Sequence, residues 1–89
     1  MREKAVALRY RDGEDPAPRV VAKGSGVVAQ KILEIARREG VAVREDSSLV
    51  EVLAALDVDA LIPVELYEAL ARILAWVYEQ DRKRGRSRR

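Results

Sequence analysis

The stretch Arg19-Val20-Val21-Ala22-Lys23-Gly24-Ser25-Gly26, continued by Val27 to Glu39, Gly40 and Val41-Ala42-Val43-Arg44, decides the fold. Apolar residues run through Arg19–Lys23 without alternation, the pattern of a strand buried on both faces. Gly24-Ser25-Gly26 breaks that strand, and Ser25 has the hydroxyl of an N-cap. From Val27 to Glu39 the positions Val28, Ala29, Ile32, Ile35 and Ala36 recur at helical spacing. Arg37 and Arg38 fall in the last turn, where cations suit the helix dipole, and Gly40 supplies a left-handed stop. Val41–Arg44 is then expected as a third, short strand. A strand, a helix and a strand this close together imply a right-handed parallel crossover.

Working outward, Lys4–Tyr10 is an apolar run of strand length, with Val6, Leu8 and Tyr10 alternating. Arg11–Pro18 follows, and its prolines Pro16 and Pro18 forbid helix and favour extended backbone. On the other side, Ser48-Leu49-Val50-Glu51 reads as a capping box opening a helix to about Ala55, with Leu49, Val52, Leu53 and Leu56 inward. Asp57–Ile62 is a connector. Pro63 suits a first helical turn, and Leu66, Leu70, Ile73, Leu74 and Val77 form an apolar stripe ending near Gln80, with Tyr67, Trp76 and Tyr78 at its borders. The expected fold is α/β (α+β): a small three-stranded mixed sheet, order β-β-α-β-α-α, covered by helices. Its first strand lies at or near an edge. Residues 1–81 form the domain and residues 82–89 a disordered basic tail.

Composition narrows the function. With 89 residues there is room for one core, and aromatics are confined to Trp76, Tyr10, Tyr67 and Tyr78, so that core is aliphatic. Cysteine and histidine are absent, which excludes disulfides, thiolate nucleophiles, Cys/His zinc sites and the usual neutral-pH general base. No apolar run approaches the ~20 residues that span a bilayer, and Met1-Arg2-Glu3-Lys4 is no signal peptide, so a cytoplasmic location is expected. The tail from Arg82 to Arg89 holds six of the 17 basic residues, leaving residues 1–81 with 11 basic against 15 acidic side chains, a net of −4. A mildly acidic body argues against a nucleic-acid-binding globule.

Several stretches resemble the cytoplasmic domain of the FlhB/YscU family of type III export-switch proteins. Ala5-Val6-Ala7-Leu8-Arg9-Tyr10 resembles the strand after the family's Asn-Pro-Thr-His motif, and Pro16-Ala17-Pro18-Arg19-Val20-Val21-Ala22-Lys23-Gly24 resembles the next loop and strand. Ile32-Leu33-Glu34-Ile35-Ala36-Arg37-Arg38-Glu39-Gly40-Val41 resembles the crossover helix, and Ile62-Pro63-Val64-Glu65-Leu66-Tyr67 with Val77-Tyr78 the last helix. The likeness spans residues 5–79 with spacing kept. It implies a role in switching or assisting export, made through partner recognition. Family members cleave themselves between Asn and Pro of that motif and carry membrane helices ahead of it. Here Lys4 back to Met1 fall on the positions down to the proline, so the asparagine position lies off the chain, and the start is not Pro-Thr-His. Asp46-Ser47-Ser48 stands where a Pro-Pro pair is common. The expectation is a non-enzymatic, non-cleaving accessory of flagellar or type III export, cytoplasmic or at the inner-membrane export gate, binding export components or substrates.

Ala17, Pro18, Arg19, Lys23, Ala71 and Leu74 are the expected partner-binding residues, and the resemblance implies that the bound peptide belongs to an export substrate. Ala71 and Leu74 are expected to meet the Ala17-Pro18 loop in a shallow apolar pocket for an extended peptide, the bland alternative being that they are core. Lys23-Gly24-Ser25-Gly26 loosely echoes a phosphate cradle, but no full glycine motif is present and a glycine turn is the expected reading. Asp12, Glu14 and Asp15, and Asp57 and Asp59, lack calcium-loop spacing and read as solvated turn acids. No cofactor or metal is expected. The tail reads as a solubilising end with weak contact to anionic membrane at most, RNA or nucleoid binding through it being the alternative. A further expectation is that the free edge of the first strand accepts a strand from a partner or a second copy.

Overall fold

The computed structural model describes residues 3–11 and 13–85. Two strands, β1 (Lys4–Arg9) and β2 (Arg19–Ser25), pair antiparallel, and three helices follow: α1 (Val27–Arg38), α2 (Ser47–Ala54) and α3 (Tyr67–Gly85), the last preceded by a 3-10 turn at Val64–Leu66. The fold is α+β, as expected, but among the described residues the sheet has two strands rather than three.

Residues alternate across β1, and the helices sort accordingly. Val6 and Leu8 turn with Val20 of β2 toward Leu49 and Leu53 of α2, Ile62, and Leu70 of α3, which form the main core. Ala5, on the opposite face, is buried beside Gly24, its partner in β2. An added Cβ on Gly24 would meet Val28 of α1, so α1 lies on this second face, where small residues let helix and sheet approach closely. The result is three layers, α1 over the sheet and α2 with α3 beneath it.

The unalternating run in β2 has a second cause besides its helix-covered faces. Ala7 pairs with Ala22 and Leu8 with Val20, so Val21 is the extra residue of a bulge. Val20 is 0% exposed while Val21 is 38% exposed. The strand is covered on both faces, by α1 and by the main core, and carries one bulged residue turned to solvent.

The expected third strand at Val41–Arg44 is absent, and the helix before it explains part of this. The Gly40 N–H donates to the Arg37 carbonyl and the Val41 N–H to that of Ala36, which is the paired bonding of a Schellman cap, with Gly40 at φ 74°. That cap takes the first donor of the apolar run and leaves Val41 57% exposed. The edge of β2 is meanwhile occupied by the later connector: Arg19 bridges Leu61, Val20 N–H donates to the Ala60 carbonyl at 3.0 Å, and Asp59 N–H to the Val20 carbonyl at 2.7 Å. Asp59 takes a left-handed conformation, φ 76°, to make that return. Residues 41–46 run instead as a connector, with the Arg44 guanidinium 5.6 Å from the centre of the Trp76 ring.

The helix caps also differ from expectation. Ser25 stays in the ladder opposite Lys4, so α1 is capped by Gly26, whose N–H donates to the Glu3 carbonyl at 2.7 Å. For α2 the cap is Asp46, two residues before the expected Ser48, its carboxylate accepting from Leu49 N–H at 3.1 Å. Val52, Val28 and Ile35 are exposed rather than inward. α3 passes Gln80 and continues to Gly85, supported by a 3.0 Å Glu79–Arg82 ion pair one turn apart and by cations at its dipole-negative end. The rest of the basic tail, residues 86–89, and Asp12 of the first acidic cluster lie outside the described residues.

Candidate functional site

Tyr10 follows the last residue of β1, and the chain then makes a tight turn. The Arg11 carbonyl accepts from Glu14 N–H at 3.0 Å and Asp15 N–H at 2.8 Å, while an Asp15 carboxylate oxygen accepts from Arg11 N–H at 2.8 Å. Out of that turn comes Pro16-Ala17-Pro18, with φ fixed at both prolines. The Pro18 carbonyl accepts from Ile62 N–H at 2.9 Å, so the loop is tied down where it joins β2. Ala17 is 4% exposed and forms a wall rather than a flexible tip.

Facing the loop is the first half of α3. Tyr67, Leu70, Ala71 and Leu74, spaced to fall along one helix face, meet Tyr10, Pro16, Ala17 and Pro18 around an open groove of about 240 Å³. Leu70 is buried beneath it, Leu74 and Pro18 are half-buried, and Ala71 is exposed. Tyr10 and Tyr67, 36% and 42% exposed, supply the polar side-chain atoms of the lining. Glu68 and Arg72, each one residue beyond a lining residue, pair with one another at 3.4 Å on the adjoining face of α3.

The groove therefore brings together Ala17, Pro18, Ala71 and Leu74 of the expected set. The core alternative fails for Ala71, which is exposed, and holds only by half for Leu74. The other two residues sit elsewhere. One Arg19 guanidinium nitrogen donates to the Asp59 carbonyl at 2.7 Å, holding the connector against β2. The Lys23 ammonium donates to the carbonyls of Ala54 at 3.0 Å and Leu56 at 2.7 Å, at the end of α2, where unpaired carbonyls need donors. Replacing Lys23 with Met should cost about 1–2 kcal/mol in urea unfolding by orphaning both acceptors, while leaving ligand affinity at the groove unchanged.

Tyr10, Pro16, Tyr67 and Leu70 were not expected at the site. Tyr67 and Leu70 had a signal, since they stand four and one residues before Ala71. Tyr10 had none, because only the turn at Arg11–Asp15 folds the end of β1 toward α3. The lining contains no carboxylate, amine or thiol. What the lining offers is apolar surface and two phenolic hydroxyls.

Comparison with known proteins agrees with this reading of the fold. The uncharacterized protein YlqH of Bacillus subtilis is 47% identical over 78 residues, which cover 88% of this chain and 84% of YlqH. The flagellar biosynthetic protein FlhB of Escherichia coli is 41% identical over 81 residues, 90% of this chain but 21% of FlhB. The cytoplasmic domain of FlhB from Shewanella putrefaciens superposes with a TM-score of 0.83 at 33% identity, covering 91% of this chain and 67% of that domain. The PscU C-terminal domain gives 0.78 at 36% identity, covering 83% and 95%. No described helix is long and apolar enough to cross a membrane. With residues 2–77 matching the FlhB HrpN YscU SpaS family as a whole, this chain belongs to that family of flagellar and type III export proteins.

Proposed function

We propose that the chain is a recognition module of flagellar or related type III export, holding an extended apolar segment of an export component or substrate in the groove between Pro16–Pro18 and α3. The observation that carries this reading is the meeting of a wall with two fixed prolines and an exposed Ala71 in one uncharged cleft. A receptor wall that is already ordered loses little entropy on binding, so modest apolar contact suffices for useful affinity. Burying one Leu- or Phe-sized side chain there contributes about 1.5–3 kcal/mol. Arg19 and Lys23 serve the module as frame, through the connector and the end of α2. In this reading the groove binds rather than cleaves, since its lining offers no nucleophile other than two phenols. Its place of action is the cytoplasmic side of the export gate.

The test is binding of the purified protein to overlapping short peptides tiled across the flagellar and export proteins of its own cell. Peptides with apolar residues in an extended context should bind, and their binding should quench or shift the fluorescence of Tyr10 and Tyr67. If no tiled peptide binds at any accessible concentration while RNA does, with loss of RNA binding on removal of residues 82–89, the reading fails.

A further inference from the structure

We infer that Asp15 is the positioning residue of the groove, setting the proline wall without touching the ligand; this rests on the groove reading above. Asp15 is a carboxylate with only 9% of its side chain exposed, although it belongs to a surface loop and precedes the first proline directly. Acids are seldom this buried unless they are held by partners. Asp15 has two, on different sides. One oxygen accepts the Arg11 N–H at 2.8 Å, and the other lies 3.7 Å from the Arg9 guanidinium at the end of β1. Its own N–H returns to the Arg11 carbonyl at 2.8 Å.

These bonds tie Arg11 and Asp15 together by two reciprocal hydrogen bonds, anchored to β1 by Arg9. One residue on either side of that anchor bears on the groove: Tyr10 lines it just past the strand, and Pro16 lines it from the loop. The Arg9–Asp15 contact thus spans the two segments whose separation sets the groove's width on the sheet side. At its far end the wall is held independently, by the Pro18 carbonyl and Ile62 N–H. Loss of Asp15 therefore frees one end of the wall only. The domain stays folded, while Pro16 and Tyr10 no longer keep a fixed spacing and part of the preorganisation is lost.

Three variants separate this from a simple structural role. Asp15→Ala removes both contacts. Asp15→Asn keeps an oxygen for the Arg11 N–H and removes the charge facing Arg9. Arg9→Met removes the charge from the other side. The probe is the tightest-binding peptide of the tiled set, measured with the 89-residue chain by fluorescence anisotropy, alongside urea unfolding of each variant. The expected result is a roughly tenfold loss of affinity in Asp15→Ala at temperatures far below its melting transition, largely restored in Asp15→Asn if the turn bond dominates, and shared by Arg9→Met if the ion pair does. Equal affinity in wild type and Asp15→Ala overturns the positioning role and leaves the groove reading standing. Failure of wild type itself to bind any tiled peptide overturns the groove reading and the positioning role together. An affinity loss that merely tracks the unfolded fraction across the three variants also overturns it.

Discussion

Ala71→Glu is expected to abolish peptide binding, by about 100-fold or more, while the unfolding transition stays cooperative and shifts by no more than a few degrees. The two halves of this result have separate causes. In the free protein Ala71 is exposed on α3 and a glutamate there meets water, and glutamate is a good helix former. In the complex the same carboxylate lies beneath an apolar ligand, among Tyr67, Leu74, Ala17 and Pro18, with no cation in the lining to pair with it. A desolvated, unpaired charge costs several kcal/mol, and 100-fold in affinity needs only about 2.7 kcal/mol. Leu74 is a poorer probe because it is half-buried, so its truncation changes folding and binding together. Isothermal titration with the tightest tiled peptide, paired with a thermal melt, reads both quantities. Unchanged affinity in Ala71→Glu would remove the groove as the binding site, whatever else the protein binds.

The largest effect on stability is expected from Gly24→Val. By strand propensity alone valine at this position should be favourable. The sterics reverse that sign. A Cβ built on Gly24 runs into Val28 Cγ1 and falls 2.7 Å from Val28 Cβ, and a β-branched side chain in a helix has little freedom to turn away. Either α1 lifts from the sheet, opening the layer that buries Ala5 and Ala29, or the strand twists out of register with β1. Overpacking of this kind costs about 1–3 kcal/mol, and the upper end is expected here because both ends of the clash are stiff. For a chain of this size that is a fall of roughly 10 °C or more in melting temperature. The pair Gly24→Val with Val28→Ala should recover part of the loss, since it removes the Cγ1 contact and keeps the Cβ one, and a double-mutant cycle by urea unfolding measures it. Additive effects in the cycle would show that the two residues do not meet.

Much of the site was legible because its two halves are written locally. Pro16 and Pro18 dictate an extended, rigid segment wherever they occur, and Leu70, Ala71 and Leu74 fall on one face of any helix that contains them. The expected fold, with the proline loop beside the last helix, then paired those halves. What local pattern could not supply was the identity of their neighbours. Tyr10 joins the groove because Asp15 bends the chain back on Arg11, a contact with no sequence period. Lys23 belongs to the frame because α2 happens to end within reach of its ammonium.

The sequence by itself determined the first two strands and the three helices in their order, the stop of α1 at Gly40, the proline loop and the apolar stripe of α3, since each follows from backbone freedom or from a repeat shorter than one element. It also bounded the chemistry, because residue types that are missing cannot act. Only the tertiary structure decided that Val41–Arg44 is no strand, that Val21 sits in a bulge, and that the connector at Asp59–Ile62 takes the edge of β2. Those three outcomes hang on competition between distant segments for the same donors and acceptors. Strand pairing is satisfied by whichever chain arrives with free N–H and C=O groups in register, and a single short apolar run carries no record of its rivals.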